Sequence, residues 1–291
     1  MKKKIKYILG ILLIAIGILS TSGCTQDNMD NINIIVTSYP TEYIIKNLYG
    51  EHATISSIYP DGVDISKYKL NNKQKKAYAK EDLFIYNGLI ERERDLALEL
   101  LSINSDLKII DTAYVLETDY SPEELWLNPS SLLMMSQNVR IGLEEYITSN
   151  YLKEEVDKNY EELKITLSEL DVDYRLSIEN TNDKNIVVDN SALKFLEKFG
   201  LNVICIDAEA KDKVIADVKN MIKNKEINYI YTFEGEELSD NATEITSEYT
   251  DIKVQKLHKL DNLSDLERSE KKDYLTIMND NLELLKQELY Q

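Results

Sequence analysis

The amino-acid sequence predicts an α/β protein of two Rossmann-like lobes, each built on a four-stranded parallel sheet, the two joined by one long rigid helix. Three observations carry that fold class. Short β-branched or apolar runs alternate with helical patterns through the first half of the chain, and the same alternation returns in the second half. Between the halves, residues 151–180 hold one helical stripe without a glycine or proline. Strands that alternate with helices form covered parallel sheets, because a parallel pair needs a crossover long enough to be a helix.

The first 23 residues read as a secretory signal peptide with a lipobox. Four lysines precede an apolar run at 8–19, and Thr21-Ser22-Gly23-Cys24 ends it. The run is too short to span a bilayer comfortably, and small residues before a cysteine mark a cleavage site. Cleavage would leave Cys24 as the lipidated first residue of a chain anchored to the extracytoplasmic face of the cell membrane. The alternative is an uncleaved anchor helix.

Residues 24–150 are expected to form the N-terminal α/β lobe, with strands at 32–36, 54–59, 83–86 and 107–110 and helices at 41–50, 71–80 and 91–101. The linking helix, 151–180, carries Leu152, Val156, Tyr160, Leu163, Leu167, Leu170, Tyr174 and Ile178 at steps of three and four. At 1.5 Å per residue it would run roughly 45 Å, longer than one lobe is wide. A surface helix split near 171–173 is the rival reading of the same stripe. Residues 181–291 are expected to form the C-terminal α/β lobe, with strands at 185–188, 202–206, 227–232 and 252–257, helices at 191–199, 211–223 and 235–249, and a last helix near 267–289.

Charge and cysteine content narrow the function. Removing residues 1–23 takes away four lysines and no acid, which moves the formal charge from −18 to −22. Such a surface repels nucleic acid and favours cations in its clefts. Apart from Cys24, only Cys205 is present, so neither a disulfide framework nor a cysteine metal cluster is possible. Cys205 lies in an apolar run and reads as a buried small hydrophobe. The sequence has no nucleophile-base pair, phosphate loop or HExxH-type motif, which argues against an enzyme. Of the two histidines, His52 at a helix end reads as structural.

In open parallel sheets, ligands bind beyond the carboxyl ends of the strands. Four such loops, two per lobe, present Ser66, Glu124, Asp189 and His258 to one interlobe cleft. Each has a plainer alternative. Ser66 could bond to its own loop backbone, Glu123 could face the cleft in place of Glu124, Asp189 could cap the 191–199 helix, and His258 could be a polar strand end.

The stretch Tyr59-Pro60-Asp61-Gly62-Val63-Asp64 to Tyr68, with Ala79-Lys80-Glu81-Asp82-Leu83-Phe84-Ile85-Tyr86-Asn87-Gly88, resembles the first-lobe signature of the zinc and manganese ABC-transporter substrate-binding lipoproteins, the metal-binding adhesin family. Trp126-Leu127-Asn128-Pro129 is similar to that family's Trp-Leu-Asp-Pro segment, and Val187-Val188-Asp189-Asn190 with Phe195 to Leu201 resembles its second-lobe signature. The resemblance covers nearly all of the chain after residue 23. It implies a two-lobed receptor with a divalent transition metal, manganese or zinc, held between the lobes. The implied partners are an ABC permease with its ATPase and the membrane through the lipid anchor, with the receptor itself a monomer.

The ligand positions depart from the family. Ser66 and Glu124 stand where it has its first two histidines, Asp189 where it has a histidine or glutamate, and His258 where it has an aspartate. Two carboxylates, one imidazole and a hydroxyl make an oxygen-rich site that would shift preference toward manganese, with water completing the shell. Two rivals share the architecture: a receptor for a non-metal solute or chelate, and a surface adhesion module with a vestigial cleft.

Overall fold

The computed structural model describes residues 28–181 and 183–290. The signal peptide, the lipobox and Cys24 lie outside the described residues.

The first half holds strands β1 (Ile32–Val36), β2 (Ala53–Ser57), β3 (Leu83–Tyr86) and β4 (Lys108–Asp111). They form one parallel sheet in the order β2-β1-β3-β4, with Ile34 registered on both Ile55 and Leu83. In the second half β5 (Asn185–Val188), β6 (Asn202–Cys205), β7 (Tyr229–Phe233) and β8 (Lys253–Leu257) repeat the arrangement as β6-β5-β7-β8. The central strands are apolar on both faces because helices cover both sides: all four residues of β3 are buried.

Strand order reverses between β1 and β3 in the first sheet and between β5 and β7 in the second, so each sheet has a switch-point crevice at its carboxyl end.

Helix α1 (Tyr39–Tyr49) begins two residues before the expected start. Pro40 occupies its first turn, where a missing N–H costs nothing. A capping box between Asn71 and Gln74 opens α2 (Asn72–Tyr78), and α3 (Glu91–Ile103) follows β3. Two helices were not expected from the sequence: the single turn α4 (Glu124–Leu127) and the long α5 (Pro129–Tyr146), capped by Asn128. Leu132, Met135, Val139 and Leu143 form the buried stripe of α5, which the apolar block 132–135 hides in the sequence.

Helix α6 (Asn150–Glu179) runs unbroken for 30 residues and buries the eight residues of the expected stripe. It does not split near 171–173, where Asp171 accepts from Ser130 Oγ at 2.7 Å and pairs with Arg175 Nε at 2.7 Å. It touches both halves. Asn159 Nδ2 donates to the Leu48 carbonyl at 3.1 Å, and Tyr174 Oη donates to the Met278 carbonyl at 2.7 Å.

Residues Ser191–Phe199 form a 3-10 helix, and α7 (Asp212–Lys223) lies as expected. Helix α8 (Asp240–Glu248) starts later than the expected 235, because Ser239 caps it by accepting from Ala242 N–H. The expected last helix is two, α9 (Asp265–Ser269) and α10 (Tyr274–Leu289), since Lys271 turns through φ 57° and Asp273 caps α10 afresh.

One apolar core is continuous from Ile34 and Tyr49 through Trp126 and Tyr174 to Tyr231 and Leu285, with smaller clusters around Phe84 and around Ile230. The two sheets are therefore packed as one body around α6, with their loop ends meeting. Among the described residues no helix is long and apolar enough to cross a membrane.

Candidate functional site

The four residues expected to converge are used by the structure in different ways. Ser66 is exposed, and its N–H and Oγ both donate to Asp64 Oδ1, at 2.9 and 2.5 Å, closing a local turn. Glu124 is buried and accepts from the N–H groups of Tyr120 at 2.5 Å and Ser121 at 2.7 Å, tying down its own loop. Asp189 at the end of β5 accepts from Ser239 N–H at 2.8 Å and Ser239 Oγ at 2.5 Å. Burial raises its pKa even against those two bonds. It does not cap the following helix; Asn190 does, accepting from Ala192 N–H at 2.9 Å.

His258 follows β8. Its backbone is held on both sides by Asn281, which accepts its N–H at 2.8 Å and donates to its carbonyl at 2.9 Å. Its Nδ1 accepts from Leu260 N–H at 2.9 Å, which assigns the proton of the neutral ring to Nε2, 3.0 Å from Glu267 Oε1. Glu267 in turn caps α9 through Ser264, accepting its N–H and Oγ at 2.7 Å.

Among the described residues, one group of histidine and acid side chains can place a donor atom from each within 4.8 Å of the others: Glu234, His258 and Glu267. Of the expected set, only His258 belongs to it. Glu124 and Asp189 do not belong to it; their oxygens meet backbone and hydroxyl donors of their own halves. Glu234 and Glu267 were missed, although Glu234 had a readable signal. Glu234-Gly235-Glu236 directly follows β7, at the second switch point, and Gly235 at φ 74° turns the chain between the two acids.

Glu123, not Glu124, faces the meeting line of the halves. Lys259 Nζ lies 3.3 Å from Glu123 Oε1 and 3.1 Å from Glu236 Oε1, and 5.9 Å from the Phe233 ring centre. The other Glu236 oxygen accepts from Asn190 Nδ2 at 2.8 Å. Burial alone would lower the pKa of Lys259, but the charges of Glu123 and Glu236 outweigh it and raise the net value. The Trp126 indole N–H donates to the Lys259 carbonyl at 2.9 Å, and Tyr274 Oη donates to the Trp126 carbonyl at 2.7 Å.

The segment after His258 then clasps the first half. Asn262 Nδ2 donates to the carbonyls of Pro60 and Val63, and Gly62 N–H donates to the Leu263 carbonyl at 2.8 Å. Arg268 takes Glu42 with both terminal nitrogens and Asp61 with Nε, at 2.7 to 2.9 Å. The groups here are thus two carboxylates with an imidazole, two further carboxylates on one ammonium, and Asp261, which interacts with both the imidazole and the ammonium.

The remaining sequence candidates are spent elsewhere. His52 bridges Asp30 and Glu155 at 3.0 and 3.2 Å. Burial pushes the Cys205 thiol up to about 12, so it is a protonated thiol and a poor ligand.

The sequence profile of the ZnuA family, described as zinc-uptake complex component A periplasmic, matches residues 34–288. A zinc-binding protein AdcA of Streptococcus pyogenes is 23% identical over 98% of this chain and 61% of its own length. The high-affinity zinc uptake system protein ZnuA of Bacillus subtilis is 24% identical over 96% of this chain and 94% of its own. The chain therefore spans about 60% of the streptococcal relatives and nearly all of the Bacillus one. The crystal structure of the Zn(II)-bound ZnuA-like domain of Streptococcus pneumoniae AdcA superposes with TM-score 0.73 at 24% identity, covering 90% of this chain and 100% of that one. The laminin-binding protein Lbp of Streptococcus pyogenes does so with TM-score 0.71 at 21%, covering 89% and 99%. At these identities the likeness to solved structures establishes the fold.

Proposed function

The chain belongs to the family of zinc-uptake complex component A, and from that premise we propose that it is the solute-binding component of a metal ion ABC importer. In this reading it is a lipoprotein on the extracytoplasmic face of the cell membrane. It captures a divalent metal between its lobes and delivers the ion to a permease driven by an ATPase. The lobes are residues 24–150 and 181–291, bridged by 151–180, and no catalysis is involved.

The observation that carries the proposal is the grouping of Glu234, His258 and Glu267, all from the second half, beside the clasp that Asn262 and Arg268 make on the first. His258 Nε2 lies 3.0 Å from Glu267 Oε1, and a metal would take the place of the Nε2 proton. Three protein donors, one nitrogen and two oxygens, leave a position for water in a tetrahedral shell. Zinc is the cargo named for the relatives, while the two carboxylates keep manganese a competitor. Glu124 and Asp189, expected as ligands, serve this reading by fixing the loops that frame the crevice.

Calorimetric titration of the whole chain in detergent tests the proposal. Zinc is expected to bind with one-to-one stoichiometry, and His258→Ala and Glu267→Gln are each expected to weaken it by at least about tenfold, as loss of one of three ligands should. Undiminished binding in both variants would place the metal elsewhere. A chain that ignores zinc and manganese but is stabilised by an organic solute would return the protein to the non-metal receptor reading.

A further inference from the structure

We propose that Lys259 is a built-in cation that sets the metal affinity of the cleft, by holding Glu123 and Glu236 away from the cargo and by repelling it. The inference rests on the metal-capture reading and names the residue that tunes it.

Two sets of acids lie around the segment 258–261, and Asp261 interacts with both His258 and Lys259. Glu234 and Glu267 lie with His258, whereas Glu123 from the first half and Glu236 from the second converge on one ammonium. That ammonium is poorly free to leave. Its main chain is pinned by the Trp126 indole, one oxygen of Glu236 is held by Asn190, and the Lys259 side chain is 23% exposed. Lysine offers three donors and no lone pair, so while protonated it cannot ligate a metal. It can only occupy the place between two carboxylates that a cation would otherwise fill. It also follows His258 directly in sequence, so its positive charge is carried on the same short segment as the imidazole ligand.

Two carboxylates left facing each other in a partly buried site need a proton or a cation. Removing the ammonium therefore frees two oxygen ligands and deletes a repelling charge. A neutral side chain at 259 should turn a three-donor site into one with further carboxylates at hand, or create a second site beside it.

The test uses the whole chain in detergent, titrated with zinc chloride and with manganese chloride and followed by thermal melting. Lys259→Met is expected to melt lower without metal, and to bind zinc about tenfold more tightly or to take a second equivalent, as loss of a nearby like charge and gain of ligands require. Lys259→Arg, which keeps the charge, should behave as the parent. Adding Glu123→Gln and Glu236→Gln to Lys259→Met should abolish the gain. If the methionine variant does not fold, Lys259→Gln carries the same comparison.

A parent that binds zinc and a neutral variant that gains nothing, or an arginine variant that gains as much, overturns the role of Lys259 alone. A parent that ignores both metals while the neutral variant binds them overturns metal capture by the natural chain and supports Lys259 as the residue that prevents it. Binding by neither overturns both.

Discussion

Glu93 offers a sharp test of the first switch point. It sits in the first turn of α3 with no exposed surface, between the ends of β1 and β3. One oxygen, Oε2, accepts from Thr37 Oγ1 and from Asn87 N–H, while Oε1 is buried without a hydrogen-bond partner among the described residues. Burial pushes its pKa up to about 7 from an ordinary 4.5, against the pull of Thr37 and Asn87. The protonated form is therefore favoured in the folded chain. For a group whose folded pKa is raised, the stability is fully present below the unfolded value, 4.5, and is lost as pH rises through about 7.

Since each pH unit of difference is worth about 1.4 kcal/mol, the loss across that window is about 3 kcal/mol. Glu93→Gln is neutral at every pH and keeps an acceptor for both bonds. Urea unfolding of parent and variant at half-unit steps from pH 4.5 to 8.5 should show the parent losing about 3 kcal/mol relative to the variant. Parallel curves would refute the reasoning, because Glu93 would then titrate alike in both states.

Other perturbations follow from single contacts. Burial pulls the pKa of His52 down, but its hydrogen bonds to Asp30 and Glu155 outweigh this and raise it; the tie is expected to stabilise most below about pH 6.5 and to fade as pH rises through the raised value. The melting gap between parent and His52→Asn, compared at pH 5.5 and 8.5, measures it. Arg268→Ala leaves Glu42, 5% exposed, with Lys46 alone, and is expected to cost about 3 kcal/mol in urea unfolding, part of it restored by Glu42→Gln. Gly142→Ala would place a Cβ 2.8 Å from Ile110 Cγ1; the overpacking of about 1–3 kcal/mol should exceed the helix gain of about 1, so its melt should fall and Ile110→Val should recover it.

The fold was legible where periodicity and covalent geometry dominate. The stripe from Leu152 to Ile178 gives α6 because buried positions every three or four residues admit one solution. The parallel strands showed as runs such as Leu83–Tyr86, apolar on both faces. Helix α5 was not legible, since Leu132-Leu133-Met134-Met135 breaks the contrast on which a periodicity reading depends. The last helix read as one because its break at Lys271 is a left-handed residue that is not glycine.

The candidate site divides along the same line. His258 was legible as a candidate because it follows the end of β8. Glu124 and Asp189 stand in the expected loops but bond within their own halves, Glu124 to the N–H groups of Tyr120 and Ser121 and Asp189 to Ser239. Glu267, nine residues after His258, reaches the imidazole only because Leu260 turns the chain through φ 63°. A leucine there is costly by about 1–2 kcal/mol, and the cost is offset because its side chain is fully buried and its N–H meets His258 Nδ1. The hydrogen bond that holds this turn also fixes the tautomer that points Nε2 at Glu267. The backbone conformation at 260 and the donor geometry at 258 are thus one interaction, and a sequence reading sees only an ordinary leucine there.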